Sequence, residues 1–542
     1  MDNKSKWTPN INKRIDPRGA QENSRDENGC WAKCQNKKNL SIDDYEKATQ
    51  FWLFSCKRPH MRGFQASWFG TFIAFFGWFS VQSLVPDIQE DLKLTDEEVA
   101  NSGIAAVVSV IGVRLATGPL TDRFGPRRIM AILLMTGGIS LGVTGLTSTA
   151  NGLIITRFFI GILGATIVPC HSWAFSLFSS NIVGAVNSLA AGWGTMGVGV
   201  AFLVMPLLLK LVLLIGVGKS NAWKICLTIP ATICLISAVL FWLFTDDCPQ
   251  GRWGSRKTIV EIDTLETANG TVNAASDDSI VPAKVADDTS KKFTKQNNKG
   301  FRGHIGFRIF AIAVLFIQFS GVGISINSTM NVYLLRKFKD KDCDLKDSKF
   351  ANTTMMSDEC SIISAETASL ITSIFNLMLL FACLTGGLFS DLLAKRFSLS
   401  GRLMIHSLFL AMHGSLMILF GYMESLPSAI AVLILWSFCY QNTQGTNFGL
   451  EPFIWPKRVG LVSGILAMGA TSGSICWNLL WRYSLDNMSR YYTIVGSVAL
   501  CSSLLTIFVF VGGYNMLDPC LKKGIFREGN VVKQHNNIHE NR

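Results

Sequence analysis

About twelve stretches of this chain are apolar for longer than a soluble core element requires, and that pattern decides the medium before any motif is considered. A helix rising ~1.5 Å per residue needs about 20 residues to cross ~30 Å of hydrocarbon. Runs of roughly that length fall at 64–86, 98–120, 128–148, 152–176, 184–212, 222–245, 306–335, 364–390, 402–423, 427–449, 457–480 and 490–514. Of the 542 residues 49% are hydrophobic and only 16% charged, against roughly 25% charged in a soluble domain. The chain reads as an all-α membrane protein that crosses the bilayer many times.

Lysine and arginine set the orientation. They collect after the second run (Arg123, Arg127, Arg128), after the eighth (Lys395, Arg396), after the tenth (Lys457, Arg458) and throughout the link 246–303. The connection between the first two runs, PDIQEDLKLTDEEVA, is acidic instead. The positive-inside rule makes the basic links and both termini cytoplasmic. The net charge of +12 is therefore an inner-surface signal and needs no nucleic-acid partner. The first ~50 residues are polar, so no cleavable signal peptide is expected, and the two tails and 258–300 have the composition of disordered segments. Seven of the 14 cysteines lie in apolar runs, where they act as small hydrophobes. Cys343 and Cys360 share a predicted outside loop with the sequon at Asn352, and a disulfide between them is an open expectation. CWAKC at Cys30 lacks a histidine partner and zinc-site spacing, so it is read as tail and no metal or cofactor is expected.

The runs divide into two sixes that repeat. RLATGPLTDRF from Arg114 aligns with CLTGGLFSDLL from Cys383, pairing Gly118 with Gly387 and Asp122 with Asp391. AGWGTMG aligns with AMGATSG, pairing Thr195 with Thr471 and Gly197 with Gly473. Two parallel six-helix repeats imply two pseudo-symmetric halves that rock about a substrate site near mid-membrane. Twelve helices on this plan is the major facilitator architecture. The expected organisation is a cytoplasmic tail 1–60, a six-helix half 61–245, a cytoplasmic loop 246–303, a six-helix half 304–515 and a cytoplasmic tail 516–542.

Within that plan GPLTDRFGPRR reads as a gating latch. Gly118 lets two helices approach closely, and Asp122, beside Arg123, is expected to cap the next helix or to pair with an arginine across the half, with Asp391 as its counterpart. The glycine-dense AAGWGTMGVGVAF and its partner GILAMGATSGS expose backbone dipoles toward a cavity or serve close packing; both readings stay open. Arg114 is the sharpest residue. A guanidinium in a membrane run costs ~3 kcal/mol or more unless it faces a wet cavity or an anion, and its planar fork suits a small oxyanion. Snorkelling or an internal carboxylate is the alternative. No nucleophile elbow, Walker loop or metal-ligand cluster stands in the sequence, which argues against an enzyme.

RPHMRGFQASWFGTFIAFFGWFS, RLATGPLTDRFGPR, NSLAAGWGTMGVG, GTNFGLEPFI and GLVSGILAMGATSGS, in that order over about residues 55–515, resemble the nitrate/nitrite porter family of the major facilitators, especially its algal and plant-type members. The resemblance implies a multi-pass transporter, expected in the plasma membrane, that carries a small anion with protons and leaves room for an accessory membrane protein. It makes Arg114 the first-half substrate arginine. The second-half arginine is replaced by Cys383, the seventh-run tyrosine by Phe316, and the two signature asparagines by Thr195 and Thr471. These five are the expected substrate-site residues, with His171 of PCHSWAF as a compensating group or a plain helix histidine. On this reading Cys383 lines the same cavity as Arg114, and arginine at 383 would strengthen nitrate binding. Three classes remain: a proton-coupled nitrate or nitrite porter, the same rocker with another small solute or anion, and a non-transporting nutrient sensor.

Overall fold

The computed structural model describes residues 40–255 without 44 and 252, residues 321–338 without 328, and residues 362–517 without 364, 485, 486, 512 and 513. All of these except Leu40 belong to one compact unit, Ser41–Arg542. Phe316, Cys30, Cys343, Cys360, Asn352 and the stretch 258–300 lie outside the described residues, as does the first part of the seventh run.

Apolar runs become helices where a polar residue can start them. Helix α1 (His60–Ser83) turns by 48° into the short α2 (Val85–Leu92). Thr95 then opens α3 (Asp96–Phe124) with a capping box: Glu98 N donates to Thr95 Oγ1 at 3.3 Å, and Thr95 N donates to the Glu98 carboxylate at 2.9 Å. Next come α4 (Pro126–Thr144), α5 (Ala150–Ile160) under a Thr149 cap, and α6 (Ile167–Leu177). A 3-10 turn, Gly161–Ala165, joins α5 to α6 in the fourth run. The fifth run holds α7 (Val183–Thr195) and α8 (Gly197–Leu214), and α9 (Lys219–Phe244) fills the sixth.

In the second half the described part of the seventh run is helical over 321–337, apart from 328, and is termed α10. It is followed by α11 (Ala365–Leu377), α12 (Ala382–Gly421), α13 (Leu426–Leu450), α14 (Val459–Tyr483) and α15 (Met488–Leu505). A two-stranded hairpin pairs Phe510–Val511 with Tyr514–Asn515. Among the described residues eight stretches are long and apolar enough to span a membrane, or nine if the bent α1–α2 pair counts. One of the eight, Thr367–Gly421, has 55 residues. At ~1.5 Å per residue that is more than twice ~30 Å, so it accounts for two of the predicted runs. Its two arms meet at Ser398, where φ is 54° and the helix breaks.

Isoleucine, leucine and phenylalanine side chains point outward along the helices, among them Ile155, Leu207, Leu240, Leu388 and Leu435, as a lipid-facing surface requires. Inside the second half Tyr333, Phe375, Phe420, Trp436, Tyr491 and Tyr492 form an aromatic core. Several buried hydroxyls are satisfied within their own helices: Thr71, Ser80 and Thr121 each donate to a carbonyl four residues back. The halves meet where α3 and α6 pack on α14, and where α7 packs on α12 and α13.

The end of the bundle bearing Arg123, Arg127, Lys395 and Lys457, here the basic end, carries an extra strap. Residues 41–55, ahead of α1, lie across it. Ile42 pairs antiparallel with Ala48, and Ala48 pairs parallel with Phe178 just past α6. Lys47 Nζ donates to Phe175 O at 3.1 Å and sits 4.1 Å over the Phe175 ring.

Candidate functional site

Arg114 lies on α3 with 4% of its surface exposed, and its fork is aimed across the half boundary. Nε donates to Gly164 O at 2.9 Å, inside the 3-10 turn of the fourth run, which exposes that carbonyl. Nη1 donates to Ala467 O at 2.8 Å and to Thr471 Oγ1 at 2.5 Å, both on α14. Among the described residues no carboxylate pairs with it, and all three acceptors are neutral. Among the described residues the guanidinium therefore has no counter-charge at the wall of a cavity of about 100 Å³.

Aromatic rings from α1 (Phe75, Trp78, Phe79), with Phe375, Tyr440 and Phe448, form part of the wall. Thr195 reaches it too, half-buried, its hydroxyl turned back to Ala191 O at 2.8 Å. Thr471 is buried and donates to Ala467 O at 3.1 Å, the same i to i−4 bond one half away, while accepting from Arg114. Four polar residues that sequence reasoning missed also line the cavity: Asn327 on α10, Asn376 on α11, and Gln441 and Gln444 on α13. Asn376 Nδ2 donates to Asn327 Oδ1 at 2.7 Å, which closes an amide pair opposite the arginine's helix. Each is a polar side chain inside an apolar run, and that was the available signal.

Cys383 departs from its expected place. It is fully buried and absent from the cavity wall. A Cβ built on Gly192 would lie 2.8 Å from Cys383 Cβ, and one on Gly445 would lie 2.0 Å from Cys383 O. With a thiol in place of a long side chain, α12 closes onto α7 and α13. The pseudo-mate of Arg114 is thus a packing residue in this state. Phe316 lies outside the described residues and is not placed.

The latch residues are brought together across the halves. Asp122 accepts from Gly460 N and Leu461 N, each at 2.9 Å, at the start of α14. Gly118 makes the approach close enough, since a Cβ there would meet Gly460 O at 2.7 Å. The expectation that Asp122 caps the next helix is corrected here: the helix whose start it holds is α14, in the opposite half. Asp247 serves α4, accepting from Arg127 N at 3.1 Å with its other oxygen 3.2 Å from Arg127 Nε. On the opposite side Asp391 accepts from Ala185 N at 2.7 Å near the start of α7, and it pairs with Arg402 at 2.6 Å. Two carboxylates thus hold two helix N-termini of the opposite half, where the helix dipole favours negative charge. Arg123 is exposed over the Phe124 ring and takes no part in these bonds.

Asp122→Asn keeps one acceptor and sets an amide N–H₂ against a backbone N–H. A hydrogen bond to a charged group is worth roughly 1.5–3 kcal/mol, so the state closed at the basic end should lose about tenfold or more of its population. Turnover should fall several-fold with little change in substrate Kd, read by paired flux and binding assays. A large loss of binding at normal turnover would contradict the latch.

His171 does not line the cavity either. It faces Glu451, Nδ1 to Oε2 at 3.4 Å, and both side chains are nearly sealed from solvent. Glu451, just past the end of α13, also accepts from Ser463 Oγ of α14.

Residues 67–478 match the family profile of the Major Facilitator Superfamily. The chain is 30% identical over 473 residues to the high affinity nitrate transporter 2.5 of Arabidopsis thaliana, covering 87% of this chain and 84% of that one. It is 28% identical over 510 residues to the nitrate transporter 2.2 of Chlamydomonas reinhardtii, covering 93% and 90%. Among solved structures it is similar to the proton:xylose symporter XylE, with a TM-score of 0.57 at 14% identity over 84% of this chain and 97% of that one. The fucose:proton symporter FucP of E. coli gives a TM-score of 0.53 at 10% identity, over 82% and 98%.

Proposed function

Because this chain belongs to the nitrate/nitrite porters of the Major Facilitator Superfamily, we propose that it is a secondary active transporter of nitrate and nitrite, driven by protons and working by alternating access. Arg114 carries the reading: a buried guanidinium with, among the described residues, neutral acceptors only, at the wall of a cavity between the halves. A planar oxyanion can displace one of the two acceptors on Nη1, Ala467 O or Thr471 Oγ1, and take parallel N–H bonds from Nη1 and Nη2. The neighbouring Thr195 and the Asn327–Asn376 and Gln441–Gln444 amides offer further donors to the anion's remaining oxygens. Asp122 and Asp391 act as the gate at the basic end, which the positive-inside rule places in the cytoplasm with both termini. The division into two six-helix halves at 61–245 and 304–515, a plasma-membrane location and an accessory membrane protein belong to the same proposal.

A second reading keeps the mechanism and changes the cargo to another small anion. It is favoured by Cys383, which leaves the cavity, among the described residues, with one arginine where the porter pattern calls for two. One experiment separates them. Isotopic nitrate and nitrite uptake, measured in a host lacking its own porters, should be saturable and should rise as the outside is acidified. Uptake at the level of the empty host, with the protein present at the surface, would overturn the nitrate reading.

A further inference from the structure

The pair His171 and Glu451 has no task in the anion site or the latch, yet its construction is specific. His171 comes from α6 in the first half and Glu451 from the end of α13 in the second, and the two are 3.4 Å apart. Only 3% and 2% of the two side chains is exposed. The contact lacks the geometry of a hydrogen bond, which leaves His171 Nδ1 without a partner. The imidazole ring lies 4.5 Å from the Phe448 ring. Two ionisable groups this close, held by opposite halves and away from water, form a place for one proton that exists only while the halves are together.

The pair is also tied to the anion site. Ser463, Ala467 and Thr471 stand at successive i, i+4 positions on one face of α14. Ser463 donates to Glu451, and Ala467 O and Thr471 Oγ1 accept from Arg114. The charged and titratable groups that face the pair are Arg114 from α3, acting on His171, and the Cys170 thiol from α6, on which Glu451 acts. Asn187 from α7 and Ser463 from α14 complete its polar surroundings.

We propose that His171 and Glu451 are the proton-binding site of the transport cycle, loaded together with the anion at Arg114. The inference rests on the proton-coupled reading above. In a medium of low dielectric, like charges oppose each other strongly and opposite charges must balance. With the cavity empty, Arg114 carries a positive charge that opposes a second one on His171. An anion on the guanidinium cancels that charge, and a proton then settles on the pair, giving imidazolium against carboxylate or a neutral acid against neutral imidazole. Binding of each ligand favours the other, and by linkage the proton raises anion affinity by the same factor as the anion raises proton affinity. When the halves separate at the basic end, Glu451 and His171 part, water enters, and the proton leaves with the anion.

The test uses the full chain in liposomes, with isotopic nitrate flux measured in two modes: driven by an inward proton gradient, and as exchange at equal pH. Glu451→Gln and His171→Gln should each lower the ratio of gradient-driven to exchange flux by about tenfold or more. In weakly buffered detergent solution, nitrate should draw protons onto the wild type and onto neither variant. An unchanged ratio in both folded variants overturns the proton site and leaves the nitrate reading standing. If the wild type moves no nitrate in either mode, the nitrate reading fails by itself. The proton site is then judged by infrared titration of the carboxyl band, which must disappear in Glu451→Gln; a band unaffected by that substitution overturns it. Should glutamine at 451 not fold, Glu451→Asp replaces it: its shorter arm must lower the same ratio and shift the same band, and failure of both overturns the proposal.

Discussion

Arg114→Ala should bring saturable nitrate uptake close to the level of an empty host while the protein still reaches the membrane. The guanidinium offers a planar anion two charge-assisted bonds of roughly 1.5–3 kcal/mol each, so removing it should weaken binding by about a hundredfold to ten-thousandfold. Arg114→Lys keeps a positive charge but not the fork. It should raise KM by about tenfold to a hundredfold with a smaller change in kcat, because one point charge cannot hold two oxygens in a fixed plane. The check is initial-rate uptake against concentration, normalised to surface protein. Wild-type kinetics in Arg114→Ala would remove the anion from this end of the cavity. Alanine also ends the bonds to Ala467 and Thr471, so a lower melting temperature should accompany the lost transport.

Cys383→Arg should not create a second anion clamp; it should leave little folded protein. The alignment of the two repeats argues for a gain in nitrate affinity, and the packing argues the reverse. Cys383 is sealed against Gly192 and Gly445, and the nearest built Cβ positions already fall at 2.8 and 2.0 Å from its atoms. Forcing a longer chain into such a contact costs about 1–3 kcal/mol, and a buried charge without a partner costs about 3–5 kcal/mol. Against a total stability of about 5–15 kcal/mol that is most of the margin. Cys383→Ala is the companion variant: it removes only a sulfur and should leave nitrate KM within about threefold of wild type. Size-exclusion profiles and thermal melts decide the matter. A well-folded Cys383→Arg protein with tighter nitrate binding would mean that α7 and α12 separate enough in another state to admit the side chain.

These two residues mark how far the sequence could be read. Arg114 was legible because a lone cation in a hydrocarbon-length run has few physical excuses, and its repeat context fixed which helix carries it. The register of Cys383 against Asp391 was equally legible, but the distance between α7 and α12 was not. That distance depends on how small Gly192 and Gly445 are, and these lie 191 and 62 positions from Cys383. The spans came from hydropathy. It could not show that the eighth and ninth runs join through a single residue, Ser398, since one left-handed φ leaves no compositional trace. Glu451 was missed for a related reason. It stands just past the predicted end of the tenth run, where a carboxylate reads as a loop residue, and only the fold back toward α6 and α14 buries it. Asn327 and Asn376 sat inside apolar runs in plain view, but a lone amide becomes informative only when its partner is known.

The strap across the basic end also has a bearing on how the molecule is made. Lys47 and the Phe175 carbonyl that it bonds are 128 positions apart, and Ala48 depends on Leu177 and Phe178 in the same way. A ribosome adding roughly 5–20 residues per second needs on the order of ten seconds to produce that partner after the strap has emerged. Throughout that interval the N–H and C=O of Ala48 have only water to bond. Helices α1 to α5 can each close their own backbone bonds as they are synthesised, because a helix satisfies itself locally. The strap cannot. Chain order therefore makes the earliest described residues among the last of the first half to find their place, and the covering of the basic end waits on the completion of the fourth run.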